Sequence, residues 1–138
     1  MFDLRSFDYV VDAMGTLSSK LLLISRAKEA RVPVISCMDM GNKLDPSRLE
    51  ITDISRTAVC PMTRTVKAEL RKRGIRKLKV LYSKERPART KEKLFRRVHS
   101  SSRPGAEGNI SFVLGAAGCY LAGEVVRDIL STGTSGRS

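Results

Sequence analysis

The stretch FDYVVDAMG, residues 7–15, decides how the rest of the chain is read. Phe7, Tyr9, Val10 and Val11 suit a pleated, buried surface, and the run then ends in Asp12 and, three residues on, Gly15. A short apolar strand closing on an acid and a glycine is how a parallel α/β protein presents a carboxylate at the carboxyl edge of its sheet, where such sheets bind ligands.

Working outward, Ser18 or Ser19 is placed to cap a helix whose apolar positions Leu21, Leu22, Ile24, Ala27 and Ala30 keep a helical period. RVPVISC, residues 31–37, reads as a second strand with Pro33 early, where a missing donor is tolerated. Strand, helix and strand in this span make a βαβ unit, so the two strands are expected to run parallel. MDMGNKLDP (38–46) is turn-rich, and SRLEITDIS (47–55) follows as a half-buried strand.

CPMTRTVKAELRKRG (60–74) reads as a helix opened by Pro61 and closed by Gly74, with Met62, Val66 and Leu70 as its apolar stripe. IRKLKVLYS (75–83) alternates and is expected as a half-buried strand with its basic side chains on the solvent face. Residues 84–109 are expected as a long basic loop with a short helix at 90–98, and Phe112 to Leu130 as a helix rich in small residues. The expected organisation is one unit over 1–130 followed by a disordered tail, 131–138.

The net charge of +12 is concentrated, because residues 64–97 hold fifteen Lys or Arg against three Glu. Such a block attracts polyanions by counterion release, with nucleic acid the leading partner. A solvated basic face, an anionic membrane surface and a protein partner are the alternatives. Only Tyr82 and Phe95 interleave the segment, which argues against single-strand base stacking. The longest weakly polar run, residues 110–123, is short for a membrane span. Three widely spaced cysteines, Cys37, Cys60 and Cys119, form no CxxC pair, and with no secretion signal they point to a reducing, cytoplasmic setting.

Asp12 and Asp39 follow strands expected to be sheet neighbours, so both are candidate cofactor-binding residues for magnesium or a ribose; helix capping and loop stabilisation are the plainer roles. Cys60 stands just before a helix, where the dipole lowers a thiol pKa, and is the candidate catalytic residue, against a half-buried core or cap position. His99 is far from it in sequence and gives little support to a Cys–His pair. Neither GxGxxG nor a lysine-bearing phosphate loop occurs in the 138 residues.

The segments at 7–36, 40–74, 77–87 and 108–130, and above all the series GNKLDP, ITDI, CP and ELRKRGI, resemble the second half of proteins in the ThiF/MoeB/E1-like adenylating superfamily, in the branch of tRNA threonylcarbamoyladenosine dehydratases. The resemblance implies ATP and Mg2+ as cofactors, tRNA as partner and a homodimer. The implied reaction adenylates the threonylcarbamoyl carboxylate on adenosine 37 of tRNA and closes the ring with loss of AMP. It further implies phosphate contacts from Arg64, Lys67, Arg71, Lys72, Arg73, Arg76, Lys77 and Lys79. In the family the first strand ends in Asp-x-x-Asp, whose second acid contacts the magnesium and triphosphate region; here Asp12 matches the first and Gly15 stands at the second. The expected fold is therefore a partial Rossmann-like ThiF-type α/β domain, a mixed but mostly parallel sheet lacking the amino-terminal nucleotide-binding half. The expected function is a fragment or degenerate form, inactive alone and requiring that half as a partner. The alternative is a non-catalytic basic module that binds RNA or protein.

Overall fold

The computed structural model describes residues 3–41, 43–57, 60–86 and 111–135. Four strands form one sheet: β1 (Val10–Asp12), β2 (Val34–Cys37), β3 (Leu49–Asp53) and β4 (Lys79–Ser83), in the spatial order β1-β2-β4-β3. β1, β2 and β4 run parallel, with Val10 opposite Val34 and Ile35 opposite Lys79, and β3 closes the edge antiparallel to β4. The parallel pairing of β1 and β2 follows the βαβ reading.

Helices α1 (Leu17–Glu29) and α2 (Pro61–Lys72) cover one face, and α3 (Ser111–Ser135) covers the other. Strand alternation supplies both cores. Val34, Val80 and Tyr82 meet Leu21, Ile24, Ala27, Val66 and Leu70, while Ile35 and Leu81 meet Val113, Ala117 and Leu121. Val113, Ala117 and Leu121 recur every four residues and form the buried stripe of α3. The small residues Gly115 and Gly118 lie off that stripe and are exposed.

Two local expectations change. β4 is not half exposed: α3 seals the face carrying Leu81, which is wholly buried, and takes the Lys79 ammonium into its own carboxylates. α1 turns a different stripe inward, Lys20, Leu21, Ile24 and Ala27, and leaves Leu22 half exposed. The N-cap of α1 is Thr16, with Ser18 and Ser19 inside the first turn, and Phe7 and Val11 are exposed rather than buried. Two helix-end signals hold. Pro61 occupies the first turn of α2, and Gly74, at φ 76°, takes the left-handed conformation past its end. The helix of α3 runs on through Ser135 into the expected tail, and the basic loop beyond Arg86, with the short helix at 90–98 and His99, lies outside the described residues.

The expectation of a partial Rossmann-like domain is corrected. The sheet is covered by helices on both faces, and each face has its own buried apolar cluster, so the described residues form the three layers of an α/β unit rather than a piece of one.

Candidate functional site

The carboxyl ends of β1 and β2 open into a crevice of about 400 Å3 lined by Met14, Gly15, Asp39, Met40, Met62 and Leu114, among others. It lies where open α/β sheets receive ligands, at the carboxyl edge of neighbouring parallel strands. Residues 13–15 after β1 and 37–40 at and after the end of β2 line one side, Met62 in the first turn of α2 forms one wall and α3 another. Methionine and aliphatic side chains dominate the lining, and among the described residues no Lys or Arg takes part in it.

Asp12 does not face this space. Its carboxylate is fully buried and accepts from three donors: Lys20 Nζ at 2.6 Å, the Ser36 hydroxyl at 2.5 Å and the Met14 amide at 3.0 Å. Lys20 Nζ also donates to the Cys37 carbonyl at 2.7 Å, so one ammonium stitches α1 to the ends of both strands. Sequence reasoning missed Lys20 and Ser36. The available signal was helical spacing: Lys20 precedes Ile24 by four residues and Ala27 by seven, and so shares the buried face.

Asp39 is half buried in the crevice lining, and its Oδ1 accepts from the Gly41 amide at 2.8 Å. The loop that carries it is pinned from below by Glu85, another residue not singled out from sequence. The Glu85 carboxylate accepts from the Leu44 and Asp45 amides at 2.9 and 3.1 Å, and its carbonyl accepts from Lys43 Nζ at 3.1 Å. Asp12 and Asp39 thus lie on neighbouring strand ends in different roles, one locked inside and one at the crevice surface.

Cys60 is the N-cap residue of α2, buried and without a side-chain capping bond. Cys37, at the end of β2, has its thiol pushed up to about 11 by burial, which disfavours the thiolate a nucleophile needs. Among the described residues no group of three His, Cys, Asp or Glu is placed to hold a metal, and no helix is long and apolar enough to cross a membrane.

The eight basic residues separate into different environments. Lys79 pairs with Glu124 at 2.8 Å and Asp128 at 2.7 Å on the α3 side of the sheet. Lys72 pairs with Glu69, and the Arg73 guanidinium reaches back to the Ser25 hydroxyl and the Leu21 carbonyl of α1. Arg64 and Lys77 are exposed. Lys67, Arg71 and Arg76 come together around a hollow at the carboxyl end of α2.

A three-layer α/β unit with a crevice at the carboxyl ends of its first two parallel strands has a Rossmann-like fold. In sequence the chain is similar to tRNA threonylcarbamoyladenosine dehydratases, and in fold to a solved member of that group. The Bacillus subtilis tRNA threonylcarbamoyladenosine dehydratase is 35% identical over 129 residues, covering 89% of this chain and 51% of that protein. The Saccharomyces cerevisiae tRNA threonylcarbamoyladenosine dehydratase 1 is 40% identical over 84 residues, covering 60% of this chain and 20% of that protein. Among solved structures, the Escherichia coli tRNA N6-threonylcarbamoyladenosine dehydratase in complex with ATP superposes with a TM-score of 0.76 at 18% identity, over 94% of this chain and 50% of that one. Its complex with AMP gives 0.75 at 16% identity, over 94% of this chain and 51% of that one. No family model matches the chain. The chain spans about half the length of the Bacillus subtilis and Escherichia coli proteins, and its match covers a fifth of the yeast one.

Two expectations are corrected by these likenesses. The resemblance is not confined to separate blocks forming a carboxyl-terminal remnant; it runs through 89% of the chain in sequence and 94% in fold. The same coverage argues against the reading of a degenerate, inactive fragment.

Proposed function

We propose that the chain acts in tRNA modification as a threonylcarbamoyladenosine dehydratase, with the crevice at the carboxyl edge of β1 and β2 receiving an adenosine moiety. The observation that carries this reading is the crevice's position, at the strand ends of a fold shared with an enzyme solved in complex with ATP.

The lining suits part of such a ligand. Methionine and leucine walls accept a flat base, and Asp39, whose second carboxylate oxygen has no partner among the described residues, suits a ribose hydroxyl. Asp39 also supplies one carboxylate, the fewest with which magnesium is held when phosphates and water complete its shell. Among the described residues the charges of a triphosphate find no cationic side chain in this lining. Apolar walls contribute by excluding water, which would otherwise hydrolyse an acyl adenylate before its ring closes. Asp12 and Lys20 act as positioning residues: they fix the β1–α1 turn that brings Met14 and Gly15 to the crevice.

Incubating the protein with threonylcarbamoylated tRNA and ATP, and measuring AMP release with the mass of the modified nucleoside, tests the proposal. The wild-type protein is expected to release AMP and yield a product lighter by one water. Asp39→Ala, which removes a charged hydrogen-bond partner, is expected to lower the rate about tenfold or more. Gly118→Leu, whose side chain enters the crevice from α3 where nothing lies within 4 Å of an added Cβ, is expected to abolish it. ATP-independent product, or full activity in Gly118→Leu, would refute the assignment.

A further inference from the structure

Lys67, Arg71 and Arg76 line a hollow of about 440 Å3 together with Ile54, Leu70 and Ile75, at the opposite end of α2 from the crevice. Nine residues of helix separate Met62, on the crevice, from Arg71, on the hollow, a rise of about 14 Å. We propose that this hollow is a phosphodiester-binding site that seats the RNA backbone, resting on the tRNA-modifying function proposed above and separate from the crevice that receives the nucleoside.

Three features distinguish it from a merely charged surface. Its cations come from separate places, two from successive turns of α2 and one from the segment entering β4, so the fold gathers them. The guanidinium groups of Arg71 and Arg76 make no hydrogen bond or ion pair with any described residue, whereas Lys72, Arg73 and Lys79 are all engaged. Lys67 is half buried and oriented by the Thr57 carbonyl at 3.4 Å, which leaves its other two N–H groups for an anion.

The surroundings favour an anion as well. Ile54, Leu70 and Ile75 form a low-dielectric floor beneath the cations, and charge attraction is stronger there than over water. Two carboxylates adjoin the lining in sequence: Asp53, beside Ile54, is spent on the Ser55 and Leu78 amides at 2.9 and 3.2 Å, and Glu69, beside Leu70, pairs with Lys72 at 2.8 Å. Two forked guanidiniums match the oxygens of a phosphodiester, and such contacts fix the register of a nucleic acid without reading its bases. A duplex arm held here lies within reach of a nucleotide turned out toward the mouth of the crevice, since chemistry on a base requires it to leave the stack.

The test is tRNA binding by the full chain, using an unmodified tRNA transcript over a series of salt concentrations. Arg71→Ala and Arg76→Ala are each expected to weaken binding about tenfold, and the double variant to reduce the slope of log affinity against log salt by about 1–2. Lys72→Ala and Lys77→Ala, outside the hollow, are expected to change affinity less than about threefold. Unchanged thermal midpoints confirm that the variants fold. Equal losses at all four positions would overturn the hollow in favour of a diffuse basic face. Unchanged tRNA affinity in Arg71→Ala/Arg76→Ala would also overturn it, as would competition by millimolar inorganic phosphate without any loss of tRNA affinity in that variant. Asp39→Ala separates the two proposals: it is expected to keep wild-type tRNA affinity, so a failed hollow leaves the crevice assignment standing, and the reverse.

Discussion

Two lysine–carboxylate clusters hold the sheet to its helices, and they differ in almost everything except distance. Lys20 meets Asp12 at 2.6 Å with side-chain exposures of 1% and 0%. Lys79 meets Asp128 at 2.7 Å and Glu124 at 2.8 Å, with the lysine 34% exposed and the acids 31% and 21%. Equal contact lengths therefore say nothing about equal worth. The first cluster is closed off from the solvent that could replace a lost partner; the second is open to it.

The largest expected effect tests that difference directly. Lys20→Met leaves a carboxylate buried with only the Ser36 hydroxyl and the Met14 amide to answer it, and is expected to cost about 3–5 kcal/mol of folding stability in chemical denaturation. Adding Asp12→Asn to that variant removes the stranded charge and is expected to recover a large part of the loss. If Lys20→Met costs no more than a surface substitution, the pair is not acting as a buried clamp and the comparison collapses.

The second cluster should respond to pH instead. Hydrogen bonds from Lys79 hold Asp128 and Glu124 below the usual carboxylate range, with Tyr9 adding to the effect at Asp128 and burial opposing it. Both folded values are depressed, so this contribution is present above about pH 4 and is lost as pH falls through the lowered values. Burial works against the charge on Lys79, but the bonds to Asp128 and Glu124 outweigh it and its pKa is raised. Burial and the neighbouring Asp128 carboxylate also raise Tyr9, whose hydroxyl donates to Asp128 at 2.6 Å. Raised values stabilise fully below about pH 10 and lose that contribution as pH climbs further. Lys79→Met is accordingly expected to cost about 1 kcal/mol or less at neutral pH, given its exposure, and to flatten the acid limb of the stability profile. An unaltered acid limb would mean that the α3 acids are not tied to this lysine.

The two clusters also show what could be read before the fold was known. Asp12 was legible as the end of a strand because alternation and a terminal acid are local signals. Its partner was not, because a lysine among apolar helix positions reads as a boundary of the buried face until a carboxylate is known to lie beneath it. Lys79 was legible as a strand residue but assigned to solvent, since nothing in residues 75–83 announces that α3, more than thirty residues later, folds over that face. The basic segment was plain in composition. Its division into paired, exposed and converging residues depends on tertiary placement that no run of charge encodes. Asp39 was recognised, whereas Glu85, which pins its loop from forty residues away, gave no local sign.

The smallest expected effect sharpens the contrast by adding a carboxylate beside the buried cluster without burying it. Gly15 is three residues beyond Asp12 and immediately before Thr16, the N-cap residue of α1. An added Cβ there meets nothing within 4 Å, and its backbone is outside the left-handed region, so neither space nor conformation demands glycine. In Gly15→Asp the new carboxylate would sit at the positive end of α1, and the unfolded chain would lose some of glycine's freedom. The variant is therefore expected to be as stable as the wild type or more stable by up to about 1 kcal/mol in denaturant titration. A loss larger than that would mean that a second acid at this edge disturbs the Lys20–Asp12 pair, and that the buried clamp extends into the wall of the crevice.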